Sequence, residues 1–331
     1  MIIQIKPDRV GSPEVAELCA FYETHPTEAD GATLVITSGS VKGLDPKFLN
    51  LAERVHVTDG DMQLSDKRWL EGRSSTVNGL TVGDGTTTAM IAGPCAVEDR
   101  EQIEKTADFL VGLGVKLFRA GAYKPRTSPY SFQGLGLEGL KILREVCDAR
   151  GLAVVTEVRD ATHAAEVLEL ADVAQIGAKA MYDHGVLKAC GDSRKTILLK
   201  RGFGTTLKEF VQAAEFILSR GNPNVMLCER GIRTFETGTR FTLDLCGVAY
   251  VKEKTNLPVI LDPSHAMGYR YGVSDLARAC TAMGVDGLLI EVHPTPDKAK
   301  SDAAQQLTFE MFQALWESLP PVAAAVGRRI A

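Results

Sequence analysis

Three cationic residues stand close together in the stretch RAGAYKPRT, namely Arg119, Lys124 and Arg126. They follow the apolar run GLGVKLF, which is typical of a buried strand. Neighbouring like charges repel each other, and burying them without a counter-charge is costly. A solvated surface loop would carry them at little cost. Binding of a negatively charged ligand is the alternative, and the residues that the fold brings to the same place decide between the two.

Cations follow several other apolar runs of this chain, although its formal net charge is -5. Arginine offers a planar fork to phosphate or carboxylate, and lysine offers a point charge. A concentration of both at one place would suit a small ligand with several negative groups. The cationic set is Arg119, Lys124, Arg126, Lys179, Lys200, Arg201, Arg230 and Arg233.

A second set of side chains also follows apolar runs and consists of Cys95, His265, Glu291 and Asp302. Each has an ordinary structural explanation, because a lone cysteine is often buried filler and acidic residues often begin helices or pair with cations. Together, however, they offer the sulfur, nitrogen and oxygen ligands that a divalent transition metal binds. The sequence therefore predicts an anion pocket beside a metal.

Eight apolar runs alternate with amphipathic, helix-like stretches from residue 88 onward. Near-continuous apolar strands joined by helices indicate a parallel sheet covered on both faces. Eight such units predict a (β/α)8 TIM barrel, whereas a doubly wound open sheet gives no reason for the count. Catalytic groups of such barrels lie at the carboxyl ends of the strands. The runs are residues 89–93, 115–119, 153–158, 173–177, 196–200, 224–229, 258–262 and 287–292.

Residues 1–75 are interpreted as a separate small α+β domain of β-α-β-α-β order. Residues 76–88 are predicted to be a linker or short hairpin around NGLTVGDG, and 89–331 form the catalytic barrel.

Composition limits the class of protein. No apolar stretch approaches the roughly 18 residues of a membrane span, and MIIQIKPDRV is unlike a signal peptide, so we expect a cytoplasmic protein without a membrane partner. Seven cysteines without a C-x-x-C pair argue against a disulfide framework and a zinc ribbon. The acidic net charge argues against nucleic acid as a partner.

The barrel segments together resemble the 3-deoxy-D-arabino-heptulosonate 7-phosphate (DAHP) synthases of the type I beta subgroup, which are related to the 3-deoxy-D-manno-octulosonate 8-phosphate synthases. The matching stretches span residues 90–307 and include long, uninterrupted motifs. They are AGPCAVE, GAYKPRTSPYSFQGLG, QIGAK, LLKRG, LCERGIRTFE, DPSHA, IEVHP and KSDAAQQL.

This resemblance implies the first step of the shikimate pathway, in which phosphoenolpyruvate condenses with erythrose 4-phosphate and phosphate is released. By similarity, phosphoenolpyruvate is held by Arg119, Lys124, Lys200 and Arg230, with Lys179 nearby. Arg126 and Thr127 would meet the aldose phosphate. Cys95, His265, Glu291 and Asp302 would hold one divalent ion, which is Mn, Co, Fe or Zn. The residues assigned catalytic roles are Lys124, Lys200 and His265.

Two departures from the family pattern stand near the predicted mouth. The synthases usually read GARN where this chain reads GAKA, so that Lys179 replaces an arginine and Ala180 an asparagine. Gly204 stands where they usually have a second asparagine. These departures keep open a paralogue that uses a different or amino-substituted aldose phosphate. A third interpretation is a catalytically weak subunit that binds a pathway partner.

The N-terminal segment resembles the ferredoxin-like regulatory domain of some of these synthases. Its sequence offers room for three strands where that fold has four, so we expect a truncated version. The resemblance also implies a homo-oligomer, either a dimer or a tetramer, and a chorismate mutase as a candidate partner.

Overall fold

The barrel predicted from the eight apolar runs is present. The structure is a computed structural model that describes residues 1–60, 62–124 and 128–331. Within these residues the eight strands that follow residue 86 and precede residue 292 pair in parallel in chain order, and the eighth pairs with the first, which closes the barrel. This confirms the (β/α)8 prediction and excludes the open sheet.

The N-terminal sheet contains four strands in the order β2-β3-β1-β4, all pairs being antiparallel. The strands are β1 (Ile2–Ile5), β2 (Pro26–Ala29), β3 (Ala32–Ile36) and β4 (Ala52–His56), with helix α1 (Pro13–Phe21) between the first two. A 3-10 helix, Pro46–Leu51, replaces the second predicted α-helix. This strand order is that of the ferredoxin-like fold.

The expectation of three strands in this domain was wrong. The additional strand β2 reads PTEA and lies at the sheet edge, where it is largely exposed, so it lacks the apolar pattern of a strand. The turn into β3 consists of Asp30 and Gly31, both with positive φ. An Asp-Gly pair is the hairpin signal that would have located the strand.

A hairpin follows the small domain and consists of β5 (Ser75–Val77) and β6 (Leu80–Val82). Its apolar side chains, including Val82, pack with inward-facing barrel residues such as Ile91. Asn78 in its turn donates to the carbonyl of Gly151, just before a barrel strand. The hairpin therefore fills the amino end of the barrel, opposite the predicted site. The division of the chain at residues 75 and 88 stays a prediction, and this packing supports grouping the hairpin with the barrel.

The barrel strands and the outer helices follow the predicted alternation. The strands are β7 (Thr87–Gly93), β8 (Leu117–Arg119), β9 (Ala153–Val158), β10 (Val173–Ile176), β11 (Thr196–Lys200), β12 (Val225–Glu229), β13 (Val259–Leu261) and β14 (Gly287–Glu291). The helices are α2 (Arg100–Gly112), α3 (Leu137–Asp148), α4 (Ala164–Leu170), α5 (His184–Asp192), α6 (Leu207–Leu218), α7 (Leu245–Lys254), α8 (Pro263–Met267), α9 (Arg270–Ala282) and α10 (Phe309–Ala325). A short strand β15 (Arg329–Ile330) pairs with β7. None of the helices in the described residues is long and apolar enough to cross a bilayer.

The small domain is joined to the barrel by a buried carboxylate. Glu215 of α6 accepts hydrogen bonds from the backbone N–H groups of Gln63 and Ser65, both at 2.8 Å, and from the Ser65 hydroxyl. Burial raises the pKa of Glu215. These bonds fix the segment that follows β4 on an outer helix, away from the carboxyl ends of the strands.

The last residue of β7, Gly93, is expected to tolerate no side chain. Its φ is +151°, and an added Cβ would lie 2.0 Å from the carbonyl oxygen of Arg119. We therefore expect Gly93→Ala to lower the free energy of unfolding by roughly 2–4 kcal/mol through backbone strain and overpacking. Denaturant unfolding measures this change. Gly204→Ala is the matched control, because a Cβ there meets nothing within 4 Å. Equal stabilities of the two variants would contradict the expectation.

Candidate functional site

The four predicted metal ligands meet at the carboxyl end of the barrel. Cys95 follows β7, His265 lies in α8 after β13, Glu291 ends β14, and Asp302 lies in the following loop. One ligand atom from each of Cys95, Glu291 and Asp302 lies within 4.8 Å of the others. His265 Nε2 lies 3.4 Å from Glu291 Oε1 and 3.7 Å from Asp302 Oδ2. The carboxyl ends of the strands therefore bring the four side chains together.

The spacing and chemistry of this set fit a single divalent ion. Atoms bound at about 2.0–2.3 Å around one ion lie about 3–4 Å from one another, and Cys95 Sγ lies 3.6 Å from Asp302 Oδ2. Burial, with the charge of Glu291, raises the pKa of the Cys95 thiol to about 12. A positive ion would favour the thiolate and relieve the repulsion between the two carboxylates. These four donors therefore suit a divalent transition ion.

Arg119 and Gln305 hold Glu291 in place. Arg119 Nη1 lies 2.8 Å from Glu291 Oε1 and also donates to the carbonyl of Pro94. The Gln305 amide donates to the other oxygen of Glu291 at 2.6 Å. Gln305 accepts in turn from Arg240 at 2.7 Å. These contacts fix the carboxylate that the predicted ligand set needs.

A cavity of about 360 Å³ opens beside this cluster. Four of the predicted substrate-binding cations line it, namely Lys124, Lys179, Lys200 and Arg230. The lining also includes His265 and Asp302, so the anion pocket and the metal ligands share one space. Further lining residues are Ser128, Ser131, Glu157, Gly177, Ala178, Phe203, Arg240 and Phe241.

Two of these cations are buried and held by barrel groups. Lys124 Nζ lies 3.0 Å from the carbonyl oxygen of Cys95 and 3.2 Å from its Sγ. Lys200 Nζ lies 2.5 Å from Asp262 Oδ2. Burial alone would raise the pKa of Asp262, but His265 and Lys200 hold it well below its usual range. Burial lowers the pKa of His265 itself.

Arg230 offers a buried hydrogen-bond donor beside the cavity. Its guanidinium lies 4.2 Å from the Phe241 ring centre, and its buried Nη1 has no hydrogen-bond partner among the described residues. Burial lowers the pKa of Arg230. A buried donor without a partner costs about 1–3 kcal/mol, which an anionic ligand would offset.

Three described members of the cationic set do not line the cavity, namely Arg119, Arg201 and Arg233. The expectation that Arg201 reaches the mouth was wrong, because its buried guanidinium lies 2.9 Å from Glu229 and 2.8 Å from Asp244. Arg233 lies over the ring of Phe203, at 4.4 Å from its centre. The predicted contacts of Arg126 and Thr127 fall outside the described residues.

The family departures occupy different surroundings. Lys179 lines the cavity, so its exchange for arginine would alter the pocket itself. Ala180 is buried and outside the cavity lining, and Gly204 has open space around its Cα.

Sequence reasoning missed Asp262 and Arg240. Asp262 stands two residues before Ser264 in the quoted DPSHA motif, and its position directly after a strand was a usable signal. Arg240 follows no strand, and only the folded loop brings it within 3.4 Å of Asp302.

Comparisons with known proteins identify the family of this chain. The sequence profile of the DAHP synthetase I family matches residues 62–323. The chain is 49% identical over 251 residues to phospho-2-dehydro-3-deoxyheptonate aldolase of Thermotoga maritima, covering 76% of this chain and 74% of that protein. It is 33% identical over 266 residues to 2-dehydro-3-deoxyphosphooctonate aldolase of Magnetococcus marinus, covering 75% and 91% respectively.

The fold comparison includes the N-terminal domain. The crystal structure of the Thermotoga maritima phospho-2-dehydro-3-deoxyheptonate aldolase (DAHP synthase) superposes with a TM-score of 0.81 at 40% identity, covering 100% of this chain and 99% of that one. A truncated form of the DAHP synthase from the same organism gives 0.77 at 41% identity, covering 82% and 100%. The chain belongs to the DAHP synthetase I family of enzymes.

Proposed function

We propose that this enzyme condenses phosphoenolpyruvate with erythrose 4-phosphate to give DAHP and inorganic phosphate, the first step of the shikimate pathway. The observation that carries the proposal is the shared cavity, in which Lys124, Lys200 and Arg230 adjoin His265 and Asp302. Two phosphorylated substrates would bring several negative charges together. Fixed cations offset that repulsion and orient the reacting carbons.

The same proposal includes one divalent ion, which is Mn, Co, Fe or Zn, held by Cys95, His265, Glu291 and Asp302. Bound there, the ion would supply the positive charge that polarises the aldehyde oxygen of the acceptor. The contacts of Arg119 and Gln305 to Glu291 support this assignment, because oriented carboxylates bind metals more tightly.

The chain's own side chains would bind the two substrates and orient them for the condensation. Arg119, Lys124, Lys200 and Arg230 would hold phosphoenolpyruvate, and Arg126 and Thr127 would hold the aldose phosphate. The methylene carbon of phosphoenolpyruvate attacks the aldehyde carbon, water adds to the carbon that bears the phosphate, and phosphate leaves with its bridging oxygen. Lys124 and Lys200 would stay close to the developing charges, and His265 would act as a ligand.

An acceptor panel tests the proposed substrate. The purified, metal-supplemented enzyme is given phosphoenolpyruvate with erythrose 4-phosphate, other aldose phosphates and an amino-substituted analogue, and phosphate release is followed. We expect the largest kcat/KM with erythrose 4-phosphate. A clear preference for another aldose phosphate would establish the paralogue instead, and no turnover with any acceptor would favour the weak-subunit alternative.

Lys179 supplies the observation that keeps the paralogue as a second candidate, because it lines the cavity and departs from the GARN pattern of the family that the sequence resembles. If erythrose 4-phosphate is the acceptor, Lys179→Arg with Ala180→Asn should keep the product and lower KM for at least one substrate, since arginine binds phosphate with two donors. If the acceptor differs, the same change should damage the native reaction. Steady-state kinetics beside wild type measure this. No change in KM or kcat would contradict both versions.

We further propose a cytoplasmic homo-oligomer, a dimer or tetramer, with a chorismate mutase as a candidate partner. The complete ferredoxin-like strand order supports a regulatory role for residues 1–75.

A further inference from the structure

Asp262 lies between the predicted metal ligands and the cations that line the cavity. Its side chain is fully buried, and it directly follows β13. One carboxylate oxygen, Oδ1, accepts from the backbone N–H of His265 at 2.9 Å and thereby caps α8. This bond holds Oδ1 at the start of α8 and leaves Oδ2 for other contacts.

Oδ2 contacts one predicted metal ligand and one cation of the cavity. It lies 2.7 Å from His265 Nδ1 and 2.5 Å from Lys200 Nζ. Neither contact meets hydrogen-bond geometry, but both separations are those of polar atoms in direct contact. One oxygen therefore touches both a predicted metal ligand and a predicted anion-binding lysine.

The contact determines which nitrogen of His265 carries the proton. An ionised carboxylate only accepts hydrogen bonds, so Nδ1 beside it must be the protonated nitrogen. Nε2 then keeps its lone pair, and it faces Glu291 at 3.4 Å and Asp302 at 3.7 Å. Metal-binding histidines are commonly oriented by a carboxylate in this manner.

We propose that Asp262 is a positioning residue that sets the tautomer of His265 for metal binding and, through the same oxygen, places the Lys200 ammonium for phosphoenolpyruvate. The inference rests on the proposed metal-dependent condensation. It predicts that metal affinity and phosphoenolpyruvate affinity both depend on one carboxylate that is neither a predicted metal-binding group nor part of the cavity lining.

Asp262→Asn is the informative variant because it preserves size and the helix cap. If the amide oxygen keeps the bond to the His265 N–H, the amide NH2 replaces Oδ2 and donates toward Nδ1. Nδ1 must then accept, and the proton moves to Nε2, where it faces the ligand cluster. The same NH2 would also stand against the Lys200 ammonium. Metal affinity should fall about 10- to 100-fold, and KM for phosphoenolpyruvate should rise.

Asp286→Asn is the matched control. Asp286 is also a buried carboxylate that accepts from a backbone N–H, that of Val259 at 2.8 Å, and it pairs with Arg328 at 3.0 Å. It precedes β14, at the opposite end of the strand from Glu291. Its substitution should affect stability but leave metal affinity unchanged.

Two measurements test the inference. Competition with a chromogenic chelator gives Mn²⁺ and Zn²⁺ affinities of wild type, Asp262→Asn and Asp286→Asn. Two-bond ¹H–¹⁵N spectra of metal-free protein give the histidine tautomers, and comparison with His265→Gln identifies His265 among the six histidines. We expect the proton on Nδ1 in wild type and on Nε2 in Asp262→Asn.

The spectrum of wild type decides the matter even if Asp262→Asn fails to fold. A proton on Nε2 in wild type would overturn the inference, and so would unchanged metal affinity in folded Asp262→Asn. Wild-type protein that binds no divalent ion would contradict the proposed function, whereas the His265 tautomer would still decide the role of Asp262.

Discussion

Excess chelator is expected to abolish the condensation activity completely, and added manganese, cobalt, iron or zinc should restore it. The physical reason is the cluster of Cys95, Glu291 and Asp302, the first two buried and the third partly buried, whose ligand atoms lie within 4.8 Å of one another. Without a bound ion, the proposed site would lack the charge that polarises the acceptor aldehyde. The measurement is phosphate release before and after chelation, with elemental analysis of the protein at each stage. Full activity in excess chelator, with no metal detected, would contradict the ligand assignment.

Cys95→Ser tests how much the thiolate contributes to metal binding. A neutral hydroxyl replaces the thiolate, which should weaken the binding of soft ions such as zinc more than that of manganese. Cys190→Ser is the matched control, because Cys190 is a fully buried cysteine in α5, outside the cluster. Equal loss of metal in both variants would show that the effect of Cys95 is structural rather than one of ligation.

The second large effect concerns the division of labour between the cations. Arg230→Ala should raise KM for phosphoenolpyruvate about 10- to 150-fold, since a lost charge-assisted contact costs about 1.5–3 kcal/mol. KM for the aldose phosphate should change much less. Arg126→Ala should show the reverse, raising chiefly KM for the aldose phosphate. Steady-state kinetics with each substrate varied in turn provide the comparison.

Arg233→Ala is the control for this pair. Arg233 belongs to the same loop as Arg230, but it stacks on Phe203 and does not line the cavity. Its removal should leave both Michaelis constants within a few-fold of wild type. Equal effects of Arg230→Ala and Arg126→Ala on both substrates would refute the division of labour.

The barrel could be predicted because its strands are buried on both faces. TILLK and AVVTEV, for example, form β11 and β9 over the predicted residues. The small domain was harder, because an edge strand such as Pro26–Ala29 needs no apolar face. The Asp30-Gly31 turn that follows this strand is a hairpin signal, whereas the strand's own composition does not indicate a strand.

The site was predictable where a residue's position along a strand determines its place in space. Cys95, Lys200 and Glu291 stand at or just after strand ends, which meet at one edge of a barrel. The ion pairs between side chains could not be predicted, because their members are distant in sequence. Arg201, directly after β11, turns to Glu229 and Asp244, whereas Lys200 before it lines the cavity.

Mass spectrometry of one reaction mixture tests the central proposal most directly. Metal-loaded enzyme is incubated with phosphoenolpyruvate and erythrose 4-phosphate, and both the organic product and free phosphate are quantified. The account predicts a seven-carbon 3-deoxy keto-acid phosphate that forms in equal amount to phosphate, and only when both substrates are present. Phosphate release that is independent of erythrose 4-phosphate, without a seven-carbon product, would contradict it.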